Sequence, residues 1–272
     1  MSLFEFGSRG GIGLTSPHSA GINPIFKWAE LEQKEVYNWA PLDNAIAAAR
    51  NAGKKVIPRI YTNVQGYAQA TPNWVFDAGA AWYYSTQFAQ DNGMRQPVPD
   101  DPVFTAKFGA FLKALGAHYN SNPTIKFFQT NAGMGGYGEM VWGYPDQFKP
   151  PGWTADRNLN TIKYWLDQWL AAFPNTRLAV MVNHIGWNIA DNFSAYAAGK
   201  GVYLQQNAPW LVPAAVNLFT PNANKTKIVM EVEDAGGRSA TVAIGFETMI
   251  AKVFGYGFPI DHLVLHGNSF RD

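Results

Sequence analysis

Residues Thr124–Asn131 (TIKFFQTN) form an apolar, strand-like run, and Gly133–Met140 (GMGGYGEM) follows them almost at once. Four glycines in this second stretch leave the backbone free to bend sharply. That freedom carries an entropic cost which a simple connection would not require. The turn therefore presents one carboxylate, Glu139, just beyond the end of a predicted strand.

A second segment repeats this arrangement. Lys227–Gly237 (KIVMEVEDAGG) is an apolar strand that ends in acids and then in glycines. Glu231 and Glu233 are two residues apart and so face the same side of a strand. Two strand ends of this kind predict a two-carboxylate active site, with Glu139 on one side and Glu231 or Glu233 on the other.

Strand-like and helix-like segments alternate along the whole chain. Strands are predicted at 11–16, 25–31, 55–62, 124–131, 177–183, 201–207, 227–233 and 262–268. Helices are predicted at 41–51, 103–119, 156–173, 188–198 and 239–254, the second opened by Asp101 as N-cap and Pro102. The pattern predicts an α/β fold over residues 1–272: a single (β/α)8 TIM barrel with a reduced first βα unit and long aromatic-rich βα loops. A doubly wound open sheet is the alternative, but no G-x-G-x-x-G motif follows a strand.

The composition narrows the class of function. Hydrophobic residues make up 47% of the chain and charged residues 15%, which favours a large core. A net charge of +1 without basic runs gives no electrostatic support for binding nucleic acid or an anionic membrane. Ten Trp and twelve Tyr supply flat apolar faces with polar edges, which suit a carbohydrate partner.

Neither a metal nor a cofactor is expected. The chain has no cysteine, and its five histidines lack the i, i+4 pairing of a zinc helix. The N-terminal residues lack a basic n-region and a hydrophobic h-region. Both a secreted and a cytoplasmic location remain open, because the initial Met-Ser-Leu is also compatible with removal of a signal peptide.

Polar residues gather where the predicted strands end, which is where a parallel barrel builds its active site. Arg59 stands within an apolar strand, where an unpaired charge would be costly, so we expect it to pair with a carboxylate, with Glu30 or Glu32 as a possible partner. Gln205 and the asparagines at strand ends offer hydrogen bonds to sugar hydroxyls. The candidate substrate-binding residues are Arg59, Trp28, Asn131, Tyr137, Trp142, Asn183, Asn207 and His266.

Several blocks resemble β-galactosidase-like TIM-barrel glycoside hydrolases. Phe26–Glu32, Val36–Trp39 and Leu42–Ile46 are similar to the family's W-x-x-L-E-P-x-x-G-x-Y-x-W-x-x-L-D block. The similarity continues through Lys54–Ile60, Thr71–Trp74, Asp100–Phe104 and Gly138-Glu139. It implies a retaining glycosidase with Glu139 as acid/base and Glu231 as the better match to the nucleophile, with Glu233 still open.

The chain departs from that family pattern in three places. Gln33–Glu35 replaces the usual E-P-x-x-G turn, and Gly138 stands where many members have Asn before the acid/base. His266-Gly267-Asn268 replaces a tryptophan that is common on the eighth strand. The glycosidase class is therefore better supported than any sugar or linkage.

Two other functions remain as alternatives. A catalytically inactive barrel would bind carbohydrate with the same aromatic loops. A metal-dependent isomerase or lyase would use Glu231, Glu233, Asp234 and His266 as ligands. Carboxyl spacing separates these readings, because about 5–5.5 Å is typical of retention and roughly 6.5–9.5 Å of inversion. The sequence makes no prediction of oligomeric state or of exo or endo action.

Overall fold

Parallel strands carry the fold. The structure is a computed structural model that describes residues 1–62, 69–84, 94–130, 152–182, 189–207, 216–232, 251 and 254–266. Within these ranges the strands are β1 Ser2–Phe6, β2 Gly21–Asn23, β3 Ile25–Lys27, β4 Glu32–Gln33, β5 Val36–Tyr37, β6 Lys55–Val56, β7 Arg59–Tyr61, β8 Trp82–Tyr84, β9 Arg95–Pro97, β10 Phe128–Thr130, β11 Leu178–Met181, β12 Tyr203–Asn207, β13 Ile228–Val232 and β14 His262–His266. The helices are α1 Ile12–Thr15, α2 Trp28–Leu31, α3 Ala40–Asn51, α4 Asn73–Asp77, α5 Pro102–Tyr119, α6 Ala155–Ala172, α7 Ala190–Gly199 and α8 Val216–Phe219.

The main sheet closes on itself through two strands that contain proline. Its order is β3-β7-β10-β11-β12-β13-β14-β1-β2-β6. Proline lacks an N–H and so loses one ladder bond, but its carbonyl still accepts. Pro24, between β2 and β3, accepts from the Arg59 N–H at 2.9 Å, and Pro58, between β6 and β7, accepts from the Gln129 N–H at 3.0 Å. The ten segments are thus eight continuous strands, and the predicted parallel barrel is confirmed.

In barrel order, β1 is the first strand, β2 with β3 the second and β6 with β7 the third. The strands β10 to β14 are then the fourth to the eighth, and β14 pairs in parallel with β1 to complete the ring. Opposite positions of an eight-stranded barrel are four strands apart, so the third and seventh strands face each other across the interior. This placement matters for the charged residues described below.

The prediction of a first strand at Gly11–Ser16 is wrong, because α1 occupies that stretch and the first strand is Ser2–Phe6. Glycine is required there for close packing: a Cβ at Gly13 would lie 2.7 Å from the Glu5 Cβ and 2.8 Å from the Gly21 carbonyl oxygen. The Glu5 carboxylate accepts the Gly13 N–H at 2.8 Å, which accounts for an acid in a buried strand. The first βα unit is nevertheless reduced as predicted, since α1 has only four residues.

The second strand also differs from its predicted range of 25–31. It begins at Gly21 and ends at Lys27, and a helical turn, α2, follows. The Glu30 carboxylate accepts the Lys27 N–H at 3.1 Å and so holds the start of that turn. The predicted N-cap of α5 is confirmed, because the Asp101 carboxylate accepts from the N–H groups of Val103 and Phe104 at 2.9 Å each.

Two cores lie on the two sides of the barrel wall. Aromatic side chains from α5 and α6 pack outside it, with ring centroids of Phe108 and Trp165 5.0 Å apart. Inside the barrel, one apolar layer is formed by Phe4, Ile57, Phe127, Ala179, Val229 and Val264, all at most 1% exposed. This layer separates a polar layer nearer the C-terminal strand ends from the N-terminal end of the barrel.

His262 closes the N-terminal end of the interior. Its ring packs against Phe127, Tyr203 and Phe4 at centroid distances of 5.3, 5.9 and 6.2 Å. Neither ring nitrogen has a hydrogen-bond partner among the described residues. Burial lowers the pKa of His262 to about 4, and the positive charges of Lys126 and Lys227 act in the same direction.

This histidine predicts a pH dependence of folding. The unfolded chain binds a proton near pH 6.5, whereas the folded chain does so only near pH 4, so the stability is complete above pH 6.5 and is lost as the pH falls toward 4. Between pH 7 and pH 5 the loss from this one group should be about 2 kcal/mol. Urea unfolding of the wild type and of His262→Leu at both pH values measures the difference.

The exposed His18 supplies the control for that experiment. His18→Leu should keep the pH dependence of the wild type, whereas His262→Leu should lose the part described above. An identical pH dependence in His262→Leu and the wild type would contradict the assignment of the effect to His262.

Candidate active site

Polar side chains fill the barrel interior immediately beyond the apolar layer. Arg59, Gln129 and Glu231 each stand two residues after a member of that layer and therefore point the same way. Asn23 and Gln205 join them from the second and sixth strands. All five are at most 2% exposed. Such a buried polar layer near the C-terminal strand ends is the position of a TIM-barrel active site.

Arg59 and Glu231 form an ion pair across the barrel. The Arg59 Nη2 lies 2.5 Å from the Glu231 Oε2, and the two side chains are 1% and 2% exposed. Arg59 also donates from Nη1 to the Tyr61 hydroxyl at 3.0 Å and from Nη2 to the Asn23 Oδ1 at 3.4 Å. The Phe6 ring lies under the guanidinium, 4.9 Å from its central carbon.

Gln205 holds the same carboxylate from the neighbouring strand. Its Nε2 donates to the Glu231 Oε2 at 2.9 Å. Asn23 is itself fixed, because its Nδ2 donates to the Ile57 carbonyl at 2.6 Å. Two donors on one carboxylate oxygen, each mounted on a barrel strand, fix the orientation of Glu231 and favour its ionised form.

Two buried amide oxygens in this layer lack a hydrogen-bond partner. They are the Oε1 atoms of Gln129 and Gln205, for which no donor is found among the described residues. A buried acceptor without a donor costs free energy unless water or a ligand supplies one. Both atoms are therefore open to a hydroxyl donor that enters the polar layer.

The structure corrects the expected partner of Arg59. Glu30 instead pairs with Arg9 at 2.7 Å, and both side chains are partly exposed. Glu32 accepts from the Trp28 Nε1 at 2.6 Å, and burial raises the pKa of Glu32. The expectation that Arg59 meets a carboxylate inside the barrel is right, but that carboxylate comes from the opposite strand.

Trp28 does not lie in the polar layer. Its ring has no exposed surface and packs against Phe104, Phe108 and Phe111 at 5.1 to 6.1 Å. This position outside the barrel wall gives Trp28 a role in packing α5, so the prediction that it contacts substrate is wrong.

The remaining candidates are placed only in part. Asn207 and His266 end the strands on either side of β13, and Asn207 is in register with Glu231. The side chains of these two residues lie outside the described part of the chain. So do the residues Glu139, Glu233, Asn131, Tyr137, Trp142 and Asn183.

Four members of the site were not singled out in the sequence. One of them, Gln129, could have been found, because it stands two residues before Asn131 and shares its face. Tyr61 could have been found, because it stands two residues after Arg59 and shares its face. Phe6 and Asn23 gave no such signal, since one lies in the unrecognised first strand and the other precedes the predicted start of the second.

Comparison with known proteins assigns the chain to a family. The glycoside hydrolase family 42 model, described as beta-galactosidase, matches residues 19–173, more than half of the chain. The chain belongs to this family. Membership confirms the expected class, an O-glycosyl hydrolase, and retention is the mechanism typical of this group of enzymes. A comparison of the family 42 chain with curated proteins gives no significant match.

Solved structures of other glycoside hydrolases share the fold. The catalytic domain of beta-amylase from Paenibacillus polymyxa is 12% identical with a TM-score of 0.66, over 97% of this chain and 91% of that one. A thermostable mutant of a xylanase from Cellvibrio japonicus is 12% identical with a TM-score of 0.59, over 98% and 86%. The endo-1,4-beta-mannanase from Rhizomucor miehei is 13% identical with a TM-score of 0.57, over 92% and 79%. Identities this low establish a common barrel and nothing about substrate.

Two features of the described residues bear on membrane insertion and on the metal-dependent alternative. These residues contain no helix long and apolar enough to cross a membrane. They also contain no group of three or more metal-ligating side chains, and the described polar contacts of Glu231 go to Arg59 and Gln205. Glu233, Asp234 and the His266 side chain, which the metal-dependent alternative needs, are outside the described part of the family 42 chain.

The buried ion pair predicts a non-additive effect on stability. Arg59→Met should lower the free energy of unfolding by about 3 kcal/mol or more, because it leaves Glu231 charged and buried. Adding Glu231→Gln should restore part of the loss, since neither charge then remains. Urea unfolding of the wild type, the two single variants and the double variant gives the coupling free energy between Arg59 and Glu231.

A surface pair provides the control for this cycle. Arg157 and Asp100 lie 2.6 Å apart with side chains 40% and 31% exposed. The pair is bidentate, with the Arg157 Nη2 donating to the Asp100 Oδ1 at 2.8 Å, but its removal leaves no buried charge. Arg157→Met should therefore cost about 1 kcal/mol, less than Arg59→Met. Equal costs for Arg59→Met and Arg157→Met would contradict the importance given to the buried pair.

Proposed function

We propose that this family 42 member is a retaining β-glycosidase in which Glu231 is the nucleophile and Glu139 the acid/base. The observation that carries the proposal is the contact between Arg59 and Glu231 in the barrel interior. Retaining hydrolysis needs one carboxylate that stays ionised and one carboxylic acid that can give up a proton. A neighbouring guanidinium stabilises an ionised carboxylate, which a nucleophile needs, and disfavours the protonated form, which an acid needs.

Glu231 has the features of the ionised partner. Arg59 and Gln205 both donate to its Oε2, so the carboxylate is held at one end and its plane is set by the barrel strands. A nucleophile that is held in this way loses little entropy when it attacks the anomeric carbon. Glu233 has the same strand parity as Glu231 in the sequence, and it lies outside the described part of the chain.

Glu139 is proposed as the acid because it follows the fourth strand. The fourth strand ends on the same face of the barrel as the seventh, so a sugar could be bound between the two acids. In the first step Glu139 protonates the leaving oxygen while Glu231 forms a bond to the anomeric carbon. In the second step Glu139 takes a proton from water, and that water releases the sugar from Glu231 with its configuration retained.

Terminal β-galactosides are the first substrates to test, and the support for them is the description of the family. The Oε1 atoms of Gln129 and Gln205 offer acceptors for sugar hydroxyls deep in the site. The alternative of a catalytically inactive barrel has no support from any feature of the described residues.

Covalent trapping identifies the nucleophile in the wild-type protein, without an amino-acid substitution. Incubation with 2,4-dinitrophenyl 2-deoxy-2-fluoro-β-galactoside should add one fluorosugar to the chain. The fluorine slows both formation and hydrolysis of the covalent intermediate, whereas the good leaving group dinitrophenolate speeds formation alone, so the intermediate accumulates. Peptide mass spectrometry should place the label on Glu231, and Glu231→Gln should not be labelled. A label on Glu233 would overturn the assignment of Glu231, and NMR showing an inverted product from an aryl galactoside would overturn retention.

Leaving-group dependence tests Glu139. Glu139→Gln should lose roughly 100-fold or more in kcat/KM on a galactoside with an alkyl leaving group, because that oxygen must be protonated to depart. Dinitrophenolate departs without a proton, so the loss on the dinitrophenyl galactoside should be much smaller. Equal losses on the two substrates would argue against Glu139 as the acid.

A further inference from the structure

The hairpin of β8 and β9 exposes aromatic side chains that the fold itself does not need. Trp82 and Tyr84 are 42% and 52% exposed, and their ring centroids lie 4.9 Å apart. They are two residues apart on one strand and therefore share a face. Tyr83, between them, faces the other way and is only 9% exposed. The buried face thus uses one aromatic ring to anchor the hairpin, and the outer face presents two.

The hairpin is attached to the barrel at the C-terminal end of the third strand. It follows the third strand, which carries Arg59 and Tyr61, so it belongs to the C-terminal face. The Thr71 hydroxyl donates to the carbonyl of Thr62 at the end of that strand, at 2.6 Å. Gln69 then joins the hairpin through Arg95, accepting its N–H at 3.0 Å and donating to its carbonyl at 2.5 Å.

The side chain of Arg95 makes this surface partly polar and holds it in place. Its Nη2 donates to the Asn73 Oδ1 at 2.9 Å, and its Nη1 lies 3.5 Å from an oxygen of the exposed Asp77. Its guanidinium carbon is 4.6 Å from the Phe76 ring centroid and 6.0 Å from that of Trp82. Arg95 is also in register with Tyr84, so the aromatic pair has a fixed cation beside it.

We propose that Trp82 and Tyr84, with Arg95 beside them, form an outer subsite for the part of an oligosaccharide that extends beyond the sugar being cleaved. Exposed aromatic rings lose stabilisation that burial would give them. A pyranose ring offers them an apolar C–H face, while its hydroxyls can bond to Arg95 and Asp77. The inference rests on the proposed function for the identity of the ligand as a glycan, and it assigns that glycan a second point of contact.

Substrate length is the variable that tests this subsite. The variants Trp82→Ala, Tyr84→Ala and the double variant are compared with the wild type on 4-nitrophenyl β-galactoside and on β-1,4-galactosyl pentaose. Because the subsite is outside the catalytic centre, the loss in kcat/KM of the double variant should be roughly ten-fold greater on the pentaose than on the aryl monosaccharide. Tyr164→Ala is the matched control, since Tyr164 is 42% exposed on α6 and its removal should affect both substrates equally.

Binding provides a second readout that needs no turnover. In native gels containing β-1,4-galactan or β-1,4-mannan, one of the polysaccharides should retard the wild type and Tyr164→Ala but not the double variant. Losses that are equal on long and short substrates, or retardation that survives in the double variant, would overturn the subsite. The wild type could hydrolyse no glycoside and still show retardation that depends on Trp82 and Tyr84. That result would overturn the proposed function and support the subsite. If the wild type neither hydrolyses a glycoside nor is retarded, both are overturned.

Discussion

The ion pair between Arg59 and Glu231 is the constraint on which the site depends. The two side chains meet across the barrel and are almost wholly removed from water. A buried carboxylate is costly unless its charge is matched and its oxygens receive hydrogen bonds, and Arg59 and Gln205 meet both requirements. The arginine in turn needs Tyr61, Asn23 and the Phe6 ring. The first, second, third, sixth and seventh strands all contribute, so the geometry exists only when the barrel is closed.

Closure depends on two prolines being tolerated within barrel strands. Pro24 and Pro58 each remove one N–H from the ladder, yet their carbonyls accept from Arg59 and Gln129. These two acceptors lie beside the polar layer, so the backbone bonds that repair the strands also position residues of the site. Beneath that layer a set of apolar side chains and the neutral His262 fill the barrel. The charged pair therefore lies between an apolar layer and the C-terminal ends of the strands.

Much of the architecture could be predicted because it follows from local periodicity. The barrel strands from residue 55 onward and the cap at Asp101 follow from short stretches of sequence. The hairpin of β8 and β9 was not predicted, because its two strands have only three residues each. The first strand was missed because Ser2–Phe6 is short and contains Glu5, whose partner is the Gly13 N–H of a turn that the apolar pattern did not reveal. Trp28 was misplaced as a substrate contact for a related reason. Its neighbours on α5 are distant in sequence, and only packing shows that the ring lies outside the wall.

The sequence by itself determined the class of fold and which residues bear charge inside it. An arginine and glutamates on apolar strands must find partners, and the alternation of strands and helices leads to a parallel barrel. It did not determine which charges meet, because Glu30 and Glu32 are nearer to Arg59 along the chain than Glu231 is. Only the tertiary structure decided that pairing. Barrel closure brings the third strand opposite the seventh, and the contact that identifies the candidate nucleophile depends on this distance in space, which local sequence patterns do not contain.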